Sequence, residues 1–103
     1  MKFSDLIFNI EKINKNTIPS LYLILNNYSE NHFNKPFPLL FIDFPINAFK
    51  ILCQVSSEYS AKIIIKLYLE ALGLDDDKVE NLIKNLESGN DKELKELILK
   101  LTN

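Results

Sequence analysis

The sequence contains no arginine and no tryptophan, a single histidine, a single cysteine and only two glycines in 103 residues. Without arginine, the chain lacks the planar side chain that grips a phosphate or a guanine with two parallel hydrogen bonds. The lone cysteine, Cys53, cannot close an intramolecular disulfide, and Gly73 and Gly89 are too far apart for a glycine-rich phosphate loop. An AT-rich genome would produce the same replacement of arginine by lysine, so composition alone identifies no function.

Length and charge describe a small acidic globular protein. A chain of 103 residues, 47% apolar and 25% charged, is expected to form one domain spanning residues 1–103. The formal net charge of −2 argues against nucleic acid as the main partner. The longest apolar stretch, Phe37 to Val55, carries Asp43, Lys50 and prolines, so we expect no membrane span. Polar residues interrupt the N-terminal segment, unlike a signal peptide, and a cytoplasmic protein is the expectation.

Hydrophobic periodicity predicts helices at both ends of the chain. The first begins near Phe3, and the last two occupy residues 75–87 and 91–102, each with apolar side chains at three- and four-residue spacing. Between positions 46 and 72 polar residues recur at the same spacing, which predicts one long helix or two helices broken at Ser56–Ser57. We therefore predict an all-α fold, a compact bundle of five to six short helices.

The middle of the chain allows more than one interpretation. Residues 20–26 are apolar on every side, so a buried helix and a buried strand both fit. The Asn-rich stretch 26–35 predicts a loop. Three prolines near 36–45 predict an extended Pro/Phe-rich apolar segment, because proline interrupts helix interiors and central strands alike. The alternative is an α+β fold with a small sheet from 20–26, 38–44 and 49–55.

Few residues offer catalytic or metal-binding chemistry. The acidic run at 75–77 lacks the alternating ligands and turn glycine of a calcium loop, so helix capping and a solvated turn explain it. His32 has no further ligands at a suitable spacing. Asp43, among apolar residues, would suit acid–base chemistry if buried, although capping a helix near Pro45 explains it as well. We predict no catalytic residue, no metal and no cofactor, and hence no enzyme.

The function that the sequence supports best is a non-enzymatic protein-binding module that acts by occlusion or scaffolding. Small immunity proteins, antitoxins and phage-encoded inhibitors share this profile, although no motif specifies a family. We expect acidic side chains to steer a basic protein partner and aromatic side chains to anchor it. The candidate partner-binding residues are Asp75, Asp76, Asp77, Glu80, Phe37, Phe41 and Tyr59. A homodimer is a further partner arrangement, and a nucleic-acid adaptor that uses the C-terminal helix pair is the alternative function.

Overall fold

A computed structural model describes all 103 residues, Met1 to Asn103, and contains seven α-helices and no strand. The all-α prediction is confirmed, whereas the expected number of five to six helices is too low and the sheet at 20–26, 38–44 and 49–55 is not formed. The helices are α1 (Phe3–Thr17), α2 (Pro19–Phe33), α3 (Phe37–Asp43), α4 (Pro45–Val55), α5 (Glu58–Ala71), α6 (Asp76–Glu87) and α7 (Lys92–Thr102).

The segment predicted to be extended, 36–45, is helical. Pro36 is the residue that precedes α3, and Pro38 lies in the first turn, where the missing N–H leaves no intrahelical bond unmade. Pro45 begins α4 in the same way, after the single residue Phe44. The three prolines therefore start helices instead of interrupting them, which is why α3 and α4 follow one another so closely.

The predicted loop at 26–35 is also wrong, because α2 continues to Phe33 and ends at Asn34, whose φ of 58° is left-handed. Polar side chains of α2 form hydrogen bonds with the chain that connects α2 to α3. Ser29 Oγ, fully buried, donates a hydrogen bond to the Lys35 carbonyl oxygen over 2.6 Å. The Asn26 Oδ1 atom accepts one from the backbone N–H of Phe37 over 2.8 Å, so a side chain of α2 caps the start of α3.

In the second half of the chain, capping residues mark the helix boundaries. Of the two alternatives for positions 46 to 72, the structure has two helices broken at Ser56–Ser57. Ser57 Oγ accepts a hydrogen bond from the backbone N–H of Ser60 over 3.0 Å and caps α5. Gly73 follows α5 with a φ of 83°, a conformation that side chains with a Cβ disfavour. Asp75 then caps α6, because its Oδ1 atom accepts from the backbone N–H of Lys78 over 2.9 Å.

One hydrophobic core of 22 buried residues draws on every helix. Most packing joins helices that are adjacent in the chain, while α1 against α5 and α3 against α7 close the bundle. The α1–α5 contact includes a buried polar pair, in which the Tyr68 hydroxyl donates to Asn14 Oδ1. None of the seven helices is both long and apolar enough to cross a membrane.

Candidate functional site

A groove between α5 and α6 brings together several residues singled out by the sequence. The lining residues on α5 are Tyr59, Lys62, Ile63 and Lys66. They follow Tyr59 by three, four and seven positions, which places all four on one face of the helix. Two open depressions of about 330 Å³ and 240 Å³ adjoin along the groove. They share Lys66, Glu80 and Ile83. We call this surface the α5–α6 groove; its lining consists of Tyr59, Lys62, Ile63, Lys66, Asp76, Val79, Glu80, Ile83, Lys84 and Glu87.

The floor of the α5–α6 groove is apolar and accessible. Tyr59 is 77% exposed and Ile63 is 44% exposed, both large values for apolar side chains on a helix that also packs into the core. Ile83 of α6 is half-buried opposite them, and Val79 lies beneath it in the core. An exposed aromatic ring beside aliphatic side chains is the composition found at the centre of protein-binding surfaces.

Ion pairs neutralise one end of the groove. Lys62 Nζ lies 2.9 Å from Glu87 Oε2 across the groove and 3.5 Å from Glu58 Oε1 on its own helix. The hydrogen bond to Glu87, assisted by the charges of both carboxylates, raises the pKa of Lys62. Its positive charge is therefore already satisfied by the protein itself.

The other end of the groove carries charges without partners. Lys66 on α5 and Asp76 on α6 line the same depression, yet neither forms an ion pair. Glu80 has only a 3.6 Å contact with Lys84 one turn along α6, with both side chains about two-thirds exposed. The carboxylates at the start of α6 are thus free to meet cationic groups from outside.

The structure divides the seven candidate residues into three groups. Tyr59, Asp76 and Glu80 line the α5–α6 groove together. Asp75 and Asp77 are exposed at the start of α6 outside the lining, and Asp75 is engaged as the helix cap. Phe37 and Phe41 are completely buried in the core, so the folded protein offers neither ring to a partner.

Two residues of the groove floor were not predicted. Ile63 and Ile83 continue helical apolar patterns, and an apolar residue at helical spacing is normally assigned to the core. The signal that distinguishes Ile63 is the run Ile63-Ile64-Ile65. Because successive helix residues point about 100° apart, three consecutive isoleucines cannot all face the core.

The residues with catalytic or metal-binding chemistry, His32, Asp43 and Cys53, each make separate local contacts. His32 packs on Tyr28 with ring centroids 4.2 Å apart, and Asp43 forms an ion pair with Lys35 at 2.8 Å. Cys53 is half-buried, and burial, assisted by the charge of Glu58, raises its pKa and disfavours the reactive thiolate. No group of three histidine, cysteine, aspartate or glutamate side chains is placed to hold a metal ion.

No protein-family model, no curated protein and no solved structure matches this chain.

The helix pair α6–α7 is joined by four residues and held by a polar clamp. Lys78 donates a hydrogen bond to Glu93 Oε1, and Asn85 Nδ2 donates to Glu93 Oε2 over 3.2 Å. The hydrogen bond and positive charge of Lys78 lower the pKa of Glu93. The exposed charged side chains of α7 are of both signs, with Lys92 and Lys100 at its ends and Glu93 and Glu96 between them.

We expect the variant Glu93→Gln to lose less stability than the wild type as pH falls below neutrality. Because folding lowers the pKa of Glu93, its contribution is present above the unfolded value of about 4.3 and is lost as pH falls through the folded value. The pair is exposed, so the Tm of the variant should lie a few degrees at most below that of the wild type at neutral pH, and the two should converge once pH falls below the folded pKa of Glu93. Circular dichroism melts from about pH 7 to pH 2.5 measure this. Glu96→Gln, an exposed acid of the same helix outside any ion pair, is the control, and an equal effect there would refute the clamp.

Proposed function

We propose that the protein is a non-enzymatic binding module that occludes or scaffolds a protein partner through the α5–α6 groove. The observation that carries the proposal is the juxtaposition of exposed Tyr59 and Ile63 with the unpaired carboxylate of Asp76 and the weakly paired one of Glu80. The partner would present a basic surface with an apolar centre.

The two parts of this surface suit the two stages of association. Carboxylates clustered at the start of α6 favour the approach of a basic partner and raise the association rate, an effect that salt screens. Tyr59 and Ile63 then supply apolar area whose burial slows dissociation. An aromatic ring that has few rotatable bonds gives this area with little loss of conformational entropy.

The nucleic-acid alternative has less support from the charges. A helix that enters a DNA groove presents basic and amide groups, and the phosphate backbone rewards a net positive face. The exposed face of α7 instead mixes Lys92 and Lys100 with Glu93 and Glu96. We therefore keep nucleic-acid binding as an outcome of the test below.

The test pairs affinity capture from source-cell lysate, with and without nuclease, with association kinetics on the captured protein. We expect the variant Asp76→Asn/Asp77→Asn/Glu80→Gln to associate about ten-fold more slowly than wild type at low salt, because steering charges act on the association rate. The difference should shrink at high salt. Asp75 is left intact because it caps α6.

The matched control removes three carboxylates elsewhere, Glu11→Gln/Glu30→Gln/Glu96→Gln on α1, α2 and α7, and should retain the wild-type association rate. Equal slowing by both triple variants would mean that only total charge matters, and the groove would lose its support. Capture that disappears with nuclease would favour the nucleic-acid adaptor, and recovery of the bait alone would contradict a stable protein partner.

A further inference from the structure

We infer that the occupant of the α5–α6 groove is an amphipathic helix of the partner whose lysine or arginine side chains face the start of α6. This inference rests on the proposed function and names the chemistry of its partner. Its support comes from the shape of the groove, the apolar residues along its floor and the unequal charges of its two walls.

The shape favours a helix lying along the groove. The lining of α5 runs from Tyr59 to Lys66, about 10 Å or two turns at 1.5 Å per residue. The two adjoining depressions make the groove elongated, so an occupant must present side chains repeatedly along one line. A helix does this with residues at i, i+3 or i+4, and i+7, which is how amphipathic helices bind in grooves between helices.

The apolar floor follows the same line. Tyr59 and Ile63 are one turn apart on α5, and Ile83 faces them from α6. The occupant would therefore need two or three apolar side chains spaced by one turn to remove these groups from water. Two turns of helix suffice for that contact, with the flanks left for polar residues.

The two walls of the groove differ in charge. On the α5 wall Lys62 is already paired with Glu87, and Lys66 is a cation without an acidic partner. On the α6 wall Asp76 has no cationic partner within ion-pair distance. The next turn of α6 adds Glu80, and the first turn includes Asp77. A cationic flank lying against α6 is therefore complementary to this wall, whereas an acidic flank there would face carboxylates of like charge.

The test uses a synthetic helical peptide of about 18 residues with leucine at i, i+4 and i+7, lysine on one flank and glutamine elsewhere. Fluorescence anisotropy and circular dichroism follow its binding to the full chain. We expect saturable binding with a gain of peptide helicity. A second peptide, with glutamate in place of lysine, should have an affinity at least about ten-fold lower.

Neutral truncations separate the groove from general charge attraction. Tyr59→Ala/Ile63→Ala should weaken the lysine peptide about ten-fold, while Leu23→Ala/Ile24→Ala, an exposed apolar pair on α2, should leave its affinity unchanged. Absence of peptide binding, equal affinity for the two double variants, or binding without gain of helicity would each overturn the inference.

Failure of the inference is distinguishable from failure of the proposed function. If the peptide does not bind but the captured partner still associates slowly with the Asp76→Asn/Asp77→Asn/Glu80→Gln variant, the groove binds a protein whose contact is not a basic helix, and the inference alone fails. If that variant associates like the wild type, the proposed function fails independently of the peptide result.

Discussion

Replacing Phe41 with alanine will lower the free energy of unfolding by about 3–5 kcal/mol, a large share of the roughly 5–15 kcal/mol typical of small proteins. The Phe41 ring is completely buried and packs edge-on against Tyr68, with centroids 5.1 Å apart. Its removal loses transfer free energy and leaves a cavity that α3 and α5 can fill only in part. Urea denaturation followed by circular dichroism measures the change.

The controls for Phe41 separate the core from the surface. Phe44→Ala truncates a ring that is 43% exposed, next to α3, and should cost about 1 kcal/mol or less. Tyr59→Ala should change stability by about 0.5 kcal/mol or less, as expected for exposed positions. If Phe41→Ala kept the wild-type stability but prevented capture of the partner, Phe41 would be a surface anchor, as the sequence alone predicts, and the packing described above would be incorrect.

Removing either member of the Asn14–Tyr68 pair alone will destabilise the protein by about 1–3 kcal/mol, because each change leaves a polar group buried without a partner. Tyr68→Phe takes away the only hydrogen bond to Asn14 Oδ1, while Asn14 Nδ2 already has none. Asn14→Leu leaves the Tyr68 hydroxyl unsatisfied but also removes the unpartnered Nδ2 atom, so its cost should lie at the low end of this range. Burial raises the pKa of Tyr68 far above its usual range, so this hydroxyl remains a neutral donor.

The double variant Asn14→Leu/Tyr68→Phe should lose much less stability than the sum of the losses of the two single variants. Replacing both polar groups with apolar groups of similar shape leaves nothing unsatisfied, and such exchanges are often nearly neutral. Chemical denaturation of all four proteins gives the coupling energy. Strictly additive losses would mean that the two side chains do not interact in the folded state.

Local signals were sufficient for the parts of the fold where capping and periodicity agree. The Asp75 cap and the positive φ of Gly73 follow from a few neighbouring residues, whereas the break at Ser56–Ser57 was one of two alternatives that the sequence left open. The C-terminal helices α6 and α7 carry strong amphipathic patterns and were predicted to within about two residues, the usual precision of helix boundaries.

The middle of the chain could not be predicted because the same residues support two structures. Proline disrupts a helix interior but is well suited to a first turn, and only the actual helix starts show which case applies to Pro38 and Pro45. The polar residues before them indicate a loop locally. In the fold, Asn26 and Ser29 are polar because they cap and fasten the connection from α2 to α3, contacts that span six to eleven positions.

The candidate site could be predicted from the sequence only in part. Charge clusters such as Asp75–Asp77 are visible in the sequence, but whether an aromatic residue lies inside or outside depends on the packing of other helices. Tyr59 and Phe41 both belong to helices with apolar patterns, yet one ring lies in the groove and the other in the core. Of the candidates named from the sequence, Tyr59, Asp76 and Glu80 line the groove, whereas Phe37 and Phe41 are core rings.

The short connections between helices bear on how long the protein persists in a cell. A single residue joins α1 to α2 and α3 to α4, and the longest connections, 72–75 and 88–91, have four residues each. Proteases cleave exposed and flexible chain, which such connections hardly provide. Degradation of the free protein should then require local or global unfolding, so its turnover would follow the opening equilibrium of the bundle. A partner bound across α5 and α6 would shift that equilibrium toward the folded state and lengthen the lifetime of the protein.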